Sequence, residues 1–397
     1  MLLTDLPLDI LELVVRCLMG DFATLKSLAL VCRLFRDPCQ QHILRGVEIG
    51  DRKTQTSSML ATSRCHRFIA DLRSNPRFIR HLRSVSVCGS LDGSWLLENM
   101  DDVAEFLNLV SEARLVYCRI TATTSVIANA GISWTQLSAP FREALSKVLD
   151  KIETLQLEGF SDLPVDILAR YHKNITGLHL IDLNIVQGSS FTPGSFKLKL
   201  RSLKILNESP DVVQTLISSG ILDLSQLKSL IFGSWRGMVN ISPLLQSKDL
   251  RGLRLRWFTP DIAVDQSLCQ LNELRKLIMD VRWKPGSSSP DLEWLAATLN
   301  AVQSPHLSTI KVTVVTHFIP AGGDFEIVKA LSQPLDRLRN NLGGRLKTLG
   351  LTFWIFPSTA DKFDEIKQRI SEQIQWKGDS EVLDLSVIPP PGQGSSI

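Results

Sequence analysis

Apolar positions along the chain fall into two patterns, and the first covers roughly the opening 45 residues. There they repeat at helical spacing: Leu6, Ile10, Leu13, Val14 and Leu18 form one stripe, and Leu25, Leu28, Cys32 and Phe35 a second. Leu6-Pro7-Leu8-Asp9-Ile10-Leu11 predicts a helix start, because a first turn tolerates proline and Asp9 suits the positive end of the helix dipole. Met19-Gly20-Asp21 predicts a break. A second helix is expected from about Ala23, with Pro38 ending it or opening a further turn. Two or three short helices bury little core, so an apolar face is left over for something else.

From Leu82 onward the pattern becomes L-x-x-L-x-L, with Ile, Val, Met or Phe allowed. It begins at Leu82, Ile152, Ile175, Leu200, Leu227, Leu250, Leu274, Leu307 and Leu346. From Ile152 the starts are 23, 25, 27, 23, 24, 33 and 39 residues apart. An amphipathic helix does not restart at such intervals, whereas a strand–turn–helix repeat does. Each phrase predicts a short strand with alternate residues inward, as at Leu178 and Leu180 or Leu253 and Leu255. Between phrases, Ser209-Pro210-Asp211, Thr259-Pro260-Asp261 and Ser289-Pro290-Asp291 predict helix starts: cap, first-turn proline, then an acid. Leu163-Pro164-Val165-Asp166-Ile167-Leu168 reads as an ordinary helix inside a repeat. Further helices are expected near Asp101 to Ala113, Ala139 to Lys151, Phe325 to Asn341 and Ala360 to Trp376, and Pro389 to Ile397 reads as a disordered tail.

Composition narrows the function classes. With 397 residues, 44% hydrophobic and 21% charged, the chain reads as a folded protein of two or three domains. A formal charge of +3, without blocks of like charge, argues against a dedicated nucleic-acid binder. Asp5, Asp9 and Glu12 argue against a signal peptide, and Ile120 to Phe141 is too polar to cross a bilayer. Seven scattered cysteines, never spaced as C-x-x-C, suggest a reducing compartment, cytoplasm or nucleus, and no disulfide framework or zinc site. G-x-S-x-G, glycine-rich phosphate loops and H-E-x-x-H are all absent from the sequence. Cys65-His66 are adjacent and point about 100° apart on a helix, which makes a shared metal awkward. His172 and His179 have no nearby carboxylate in sequence to orient them. The expectation is a non-catalytic protein without metal or cofactor.

Leu6-Pro-Leu-Asp-Ile-Leu followed by Ala29-Leu-Val-Cys-Arg-Leu-Phe-Arg36 resembles the F-box motif, with its L-P-x-[DE]-I start and L-x-x-V-C-[RK]-x-[FW] finish. Phe35 stands where tryptophan is common. The resemblance implies a docking module for the Skp-family adaptor of a cullin–RING ubiquitin ligase. Its matching docking residues are Leu6, Pro7, Ile10, Leu25, Leu28, Val31 and Cys32. An F-box before irregular leucine-rich repeats is similar to the substrate-receptor subunits of SCF ligases, in the style of F-box proteins of fungi. A non-degradative F-box scaffold shares the same features. The expected fold class is α plus α/β: a helical F-box over 1–50, a helical linker with an atypical early repeat over 51–150, a leucine-rich-repeat-like solenoid over 151–388, and the tail over 389–397.

The repeats lack the asparagine usual five residues after the middle leucine; Phe160, Leu183, Glu208, Trp235, Phe258, Arg282 and Trp354 stand there. Those turns need other stabilisation, for which aromatic packing is the natural candidate. The residues between inward leucines are Ser86, Gln156, His179, Lys204, Ile231, Arg254, Ile278, Lys311 and Gly350, without an acid among them. With Arg256 and Lys276 beside them, Lys204, Arg254 and Lys311 mark a mildly basic face. It reads either as a solvated strand surface or as a groove for an acidic or phosphorylated target segment. Trp235, Trp257, Trp283 and Trp354, just after strands, are read as core or as an alternative aromatic rim.

Overall fold

The computed structural model describes residues 7–31, 33–50, 58–90, 94–122, 131–170, 173–187, 197–206, 210–233, 241–256, 268–282, 290–316, 326–342, 345–355, 368 and 383–388. It is a mixed α/β structure in two compact units, Met1–Phe191 and Thr192–Ile397. Among the described residues no helix is long and apolar enough to cross a membrane.

The first unit opens with helices α1 (Leu8–Cys17), α2 (Phe22–Val31) and α3 (Arg33–Ile43). The Pro7 carbonyl accepts from the N–H groups of Ile10 and Leu11 at 3.0 and 3.1 Å, so proline stands just before the first helix rather than in its first turn. Asp21 caps α2, accepting from the Thr24 N–H at 3.0 Å and its hydroxyl at 2.5 Å. Those bonds stabilise the charged form and hold the Asp21 carboxyl below its ordinary value. Pro38, expected at a helix end, lies buried inside α3, where its missing N–H forfeits one helical bond.

Residues 46–50, assigned by sequence to the helical module, instead form the first strand. The unit continues as β1 (Gly46–Gly50), α4 (Ser58–Ser74), β2 (Ser84–Cys88), α5 (Ser94–Glu98), α6 (Met100–Val110), β3 (Tyr117–Thr121), α7 (Ala139–Leu149), β4 (Thr154–Glu158), α8 (Val165–Arg170) and β5 (Gly177–Ile181). Consecutive strands are parallel neighbours in the order β1-β2-β3-β4-β5. Within 51–150 the described residues therefore alternate between strands and helices. The two compact units meet at Phe191/Thr192, and β4 and β5 extend the parallel order begun by β1.

The second unit runs β6 (Ser202–Leu206), α9 (Pro210–Ser218), β7 (Ser229–Gly233), β8 (Gly252–Arg256), β9 (Lys276–Arg282), α10 (Pro290–Ala301), β10 (Thr309–Thr316), α11 (Glu326–Leu342), β11 (Thr348–Ile355) and β12 (Leu383–Ile388). Its strands are again parallel and in chain order. Helices α9 and α10 start at Pro210 and Pro290, as their Ser-Pro-Asp triplets predict. The triplet at Thr259 and the tail from Pro389 lie outside the described residues, as does the helix expected over Ala360 to Trp376 apart from Gln368.

In each unit the alternate residues form aligned buried rows. One row is Val85, Cys118, Leu155 and Leu178; another is Leu203, Leu230, Leu253, Leu277, Ile310 and Leu349. Fully burying an aliphatic side chain of this kind stabilises by roughly 1.5–3 kcal/mol, so these rows are the main source of cohesion. Just before the strands, one carbonyl serves two amides. Arg45 O accepts from Arg83 and Ser84 at 2.8 and 3.0 Å, and Lys228 O accepts from Arg251 and Gly252 at 2.9 and 3.0 Å. At one position where the sequence lacks asparagine, Phe160 is buried edge-on against Trp134, with centroids 5.8 Å apart. Helix α7, which lies between Trp134 and Phe160 in the chain, is capped by Ser138, whose hydroxyl accepts from the Phe141 N–H at 3.3 Å. Ser138→Ala should therefore lower the unfolding free energy by about 1 kcal/mol, read as a lower urea midpoint at unchanged slope.

Candidate functional site

The three N-terminal helices enclose a small core of Leu11, Val15, Leu25, Phe35 and Cys39. Around it stand exposed apolar side chains: Ile10, Leu13, Val14 and Met19 on or after α1, Phe22, Leu30 and Val31 on α2, and Leu34 on α3. Leu30 and Val31 are 88% and 84% exposed. Scattered apolar residues are normal on a surface, but this density on three adjoining helices is not. The cause is legible in α2, Phe-Ala-Thr-Leu-Lys-Ser-Leu-Ala-Leu-Val, which carries apolar residues all the way round. One such side supplies Leu25 to the core, and the other stays uncovered.

Of the residues matching the F-box docking positions, Pro7, Ile10 and Val31 are exposed and Leu28 is half-buried. Leu25 is corrected to a core residue: it is fully buried between the helices and holds the module together instead of facing outward. Leu6 and Cys32 lie outside the described residues. Leu30 and Leu34 were missed by motif matching; their signal is that they are apolar yet fall off the stripe of Leu25, Leu28 and Phe35.

On the sheet of the second unit, register aligns Lys204, Ile231, Arg254, Ile278, Lys311 and Gly350 into one outward row. Lys276 and Lys311 are exposed, and Gly350 leaves room for the Lys311 stem, whose Cγ would lie 3.3 Å from an added Cβ. The picture of a free basic face needs correction at Arg254 and Arg256. Arg254 donates to Asp280 Oδ2 through Nε at 3.0 Å and Nη2 at 2.8 Å. Arg256 Nε lies 3.0 Å from the same oxygen as an ion-pair contact without hydrogen-bond alignment. Asp280 is buried at the next outward position after Ile278, outside the central row where acids were sought.

The first unit repeats the device. Arg119, aligned between Ser86 and Gln156, donates through Nη2 to Glu158 Oε2 at 2.7 Å, and the Tyr117 hydroxyl donates to Gln156 Oε1 at 2.8 Å. Burial pushes the Tyr117 hydroxyl pKa up. His179 follows Gln156 in the same row. Of the aromatic positions after strands, Trp235, Trp257 and Trp283 lie outside the described residues.

Elsewhere, His66 Nε2 sits 2.7 Å from Asp102 Oδ2, a partner its sequence neighbourhood did not suggest. The adjacent Cys65 thiol is buried, and burial with the nearby Asp102 and Glu105 carboxylates pushes it up to about 12, so it stays protonated. Among the described residues no cluster of three His, Cys, Asp or Glu side chains could hold a metal ion. No protein-family model matches the chain, and no curated protein matches it.

Proposed function

We propose that this chain is the substrate-recognition subunit of an SCF-type ubiquitin ligase: the N-terminal helices dock a Skp-family adaptor, and the repeats, read as a leucine-rich-repeat-like solenoid, hold a target protein. The observation that carries the reading is the uncovered apolar surface centred on Leu30 and Val31, within the stretch that resembles the F-box. A fully exposed Leu-Val pair costs solvation free energy until a partner covers it. The parallel strands in chain order, with aligned leucine rows, support the repeat reading. The mechanism is positional. Tethering a target raises the effective concentration of its lysines at the ligase's charged conjugating enzyme, and no side chain of this chain need touch the reacting atoms.

On this reading, Leu30→Glu with Val31→Glu removes co-purification of the adaptor, whereas the circular dichroism spectrum stays that of the wild type, because neither side chain contributes to the core. Undiminished adaptor capture by a folded double variant would sink the proposal. For the target, an acidic or phosphorylated segment is the fitting class, and Lys276→Glu with Lys311→Glu should reduce the recovery of targets and spare the adaptor.

A further inference from the structure

In the first unit a polar pocket of about 960 Å³ opens at the edge where β2 and β3 begin. Arginines and histidines come to it from several segments. His42 is contributed by α3 and Arg45 by the residues after it, Arg80 and His81 by the 3₁₀ turn Pro76–His81, Arg83 by the residue just before β2, and Arg114 by the stretch before β3. Four arginines face two carboxylates, Asp37 and Glu112, and none of these six makes an ion pair with another described residue. The whole chain has a formal charge of only +3, so this local excess is not a reflection of composition.

The pocket's frame is held by backbone. Arg83 N and Ser84 N donate to Arg45 O, and Val116 N and Tyr117 N donate to Arg83 O at 2.7 and 3.1 Å. The Arg83 guanidinium is itself fixed, since Nη1 donates to the carbonyls of Arg80 and Leu82 at 3.0 and 2.9 Å. His42 Nδ1 is a buried ring nitrogen without a hydrogen-bond partner. His81 is held below its ordinary pKa by burial, then by Arg80 and Arg83 working against Asp37, so the pocket already resists further positive charge.

We infer that this pocket binds a small soluble molecule bearing clustered phosphates, with Arg45, Arg80, Arg83 and Arg114 as its phosphate ligands. Arginines offer the planar pair of donors that phosphate oxygens accept, and four of them lining one pocket can share several phosphate groups. The volume is that of a small-molecule site, and the polar lining suits a charged ligand rather than an apolar one. None of its lining residues is among those assigned to the adaptor or target surfaces, although α3 serves both this pocket and the apolar surface.

The test is calorimetric titration of the full chain with inorganic tripolyphosphate, beside inorganic monophosphate and beside the Arg80→Gln/Arg114→Gln variant. These two arginines are chosen because no described hydrogen bond of the fold uses their side chains. Wild-type protein should bind tripolyphosphate at least about tenfold more tightly than monophosphate, and the double variant should lose about tenfold or more. The thermal midpoint of the wild type should rise with ligand and that of the folded variant should not. Equal affinity in wild type and variant, no preference for clustered phosphate, or no binding by the wild type would each overturn the inference.

Discussion

Replacing Arg254 and Arg256 together with methionine is expected to lower the unfolding free energy by about 3 kcal/mol, and adding Asp280→Leu to restore most of the loss. Asp280 is 4% exposed and leans on both guanidinium groups through Oδ2, while Oδ1 makes no hydrogen bond. Removing the cations strands a buried carboxylate, which costs far more than the intact pair contributes. The arginines are 37% and 29% exposed, so water reaches the site from their side and keeps the loss at the low end for a buried charge. Gly233 belongs to the same device: a Cβ there would lie 3.0 Å from that of Arg256, so bare backbone lets the arginine stem lie flat. Urea denaturation of the wild type, the double variant and the triple variant measures the cycle. A double variant as stable as the wild type would remove the role assigned to the ion pair. The same argument disqualifies Arg254→Glu as a probe of target binding, since it would place two acids together and weaken the fold first.

A comparable loss, about 3–5 kcal/mol, is expected for Trp95→Ala. Trp95 is fully buried, and its Nε1 donates to Thr62 Oγ1 at 3.2 Å, linking α5 to α4. Thr62 in turn donates to Asn99 Oδ1 at 2.9 Å, and Asn99 Nδ2 donates to the Trp95 carbonyl at 2.8 Å, which closes a ring of polar contacts around the indole. Truncation opens a cavity and also removes the Thr62 acceptor's buried donor. Trp95→Phe should lose less, because most of the volume remains and only the N–H is lost. If both variants unfold at the same denaturant concentration, the hydrogen-bond ring rather than packing carries the effect.

How much of this was legible beforehand depended on which letters the pattern admitted. Leu115-x-x-Cys118-x-Ile120 is the same phrase as the others with cysteine inside, a residue the pattern does not admit although a buried thiol packs as a small apolar group. Leu44-x-x-Val47-x-Ile49 fits the pattern outright but follows directly on a helical stripe, which hid β1 behind α3. Inward rows were readable because parity alone decides them. Ion pairing was not: Asp280 and Arg254 are 26 residues apart and meet only because register brings neighbouring strands side by side. The N-terminal motif located a docking region, yet could not separate Leu25 in the core from Leu30 and Val31 outside it, since all three lie within one turn or two of an apolar helix. The arginine pocket shows in the sequence only as the short basic run Arg80-His81-Leu82-Arg83, its other lining residues coming from positions as far apart as 37 and 117.

The doubled acceptor before the strands bears on how such a chain can lengthen and how it would come apart. Because the carbonyls of Arg251, Arg275 and Ser308 each accept from the strand that follows, register is renewed from one strand to the next and owes nothing to the length of the crossover. Starts 23 residues apart and 39 apart therefore coexist in one sheet, and an insertion between strands need not propagate. Under tension applied at β12, the same locality makes each strand a separate latch. The second unit would yield as a sequence of small detachments, each exposing one leucine pair, rather than in a single rupture.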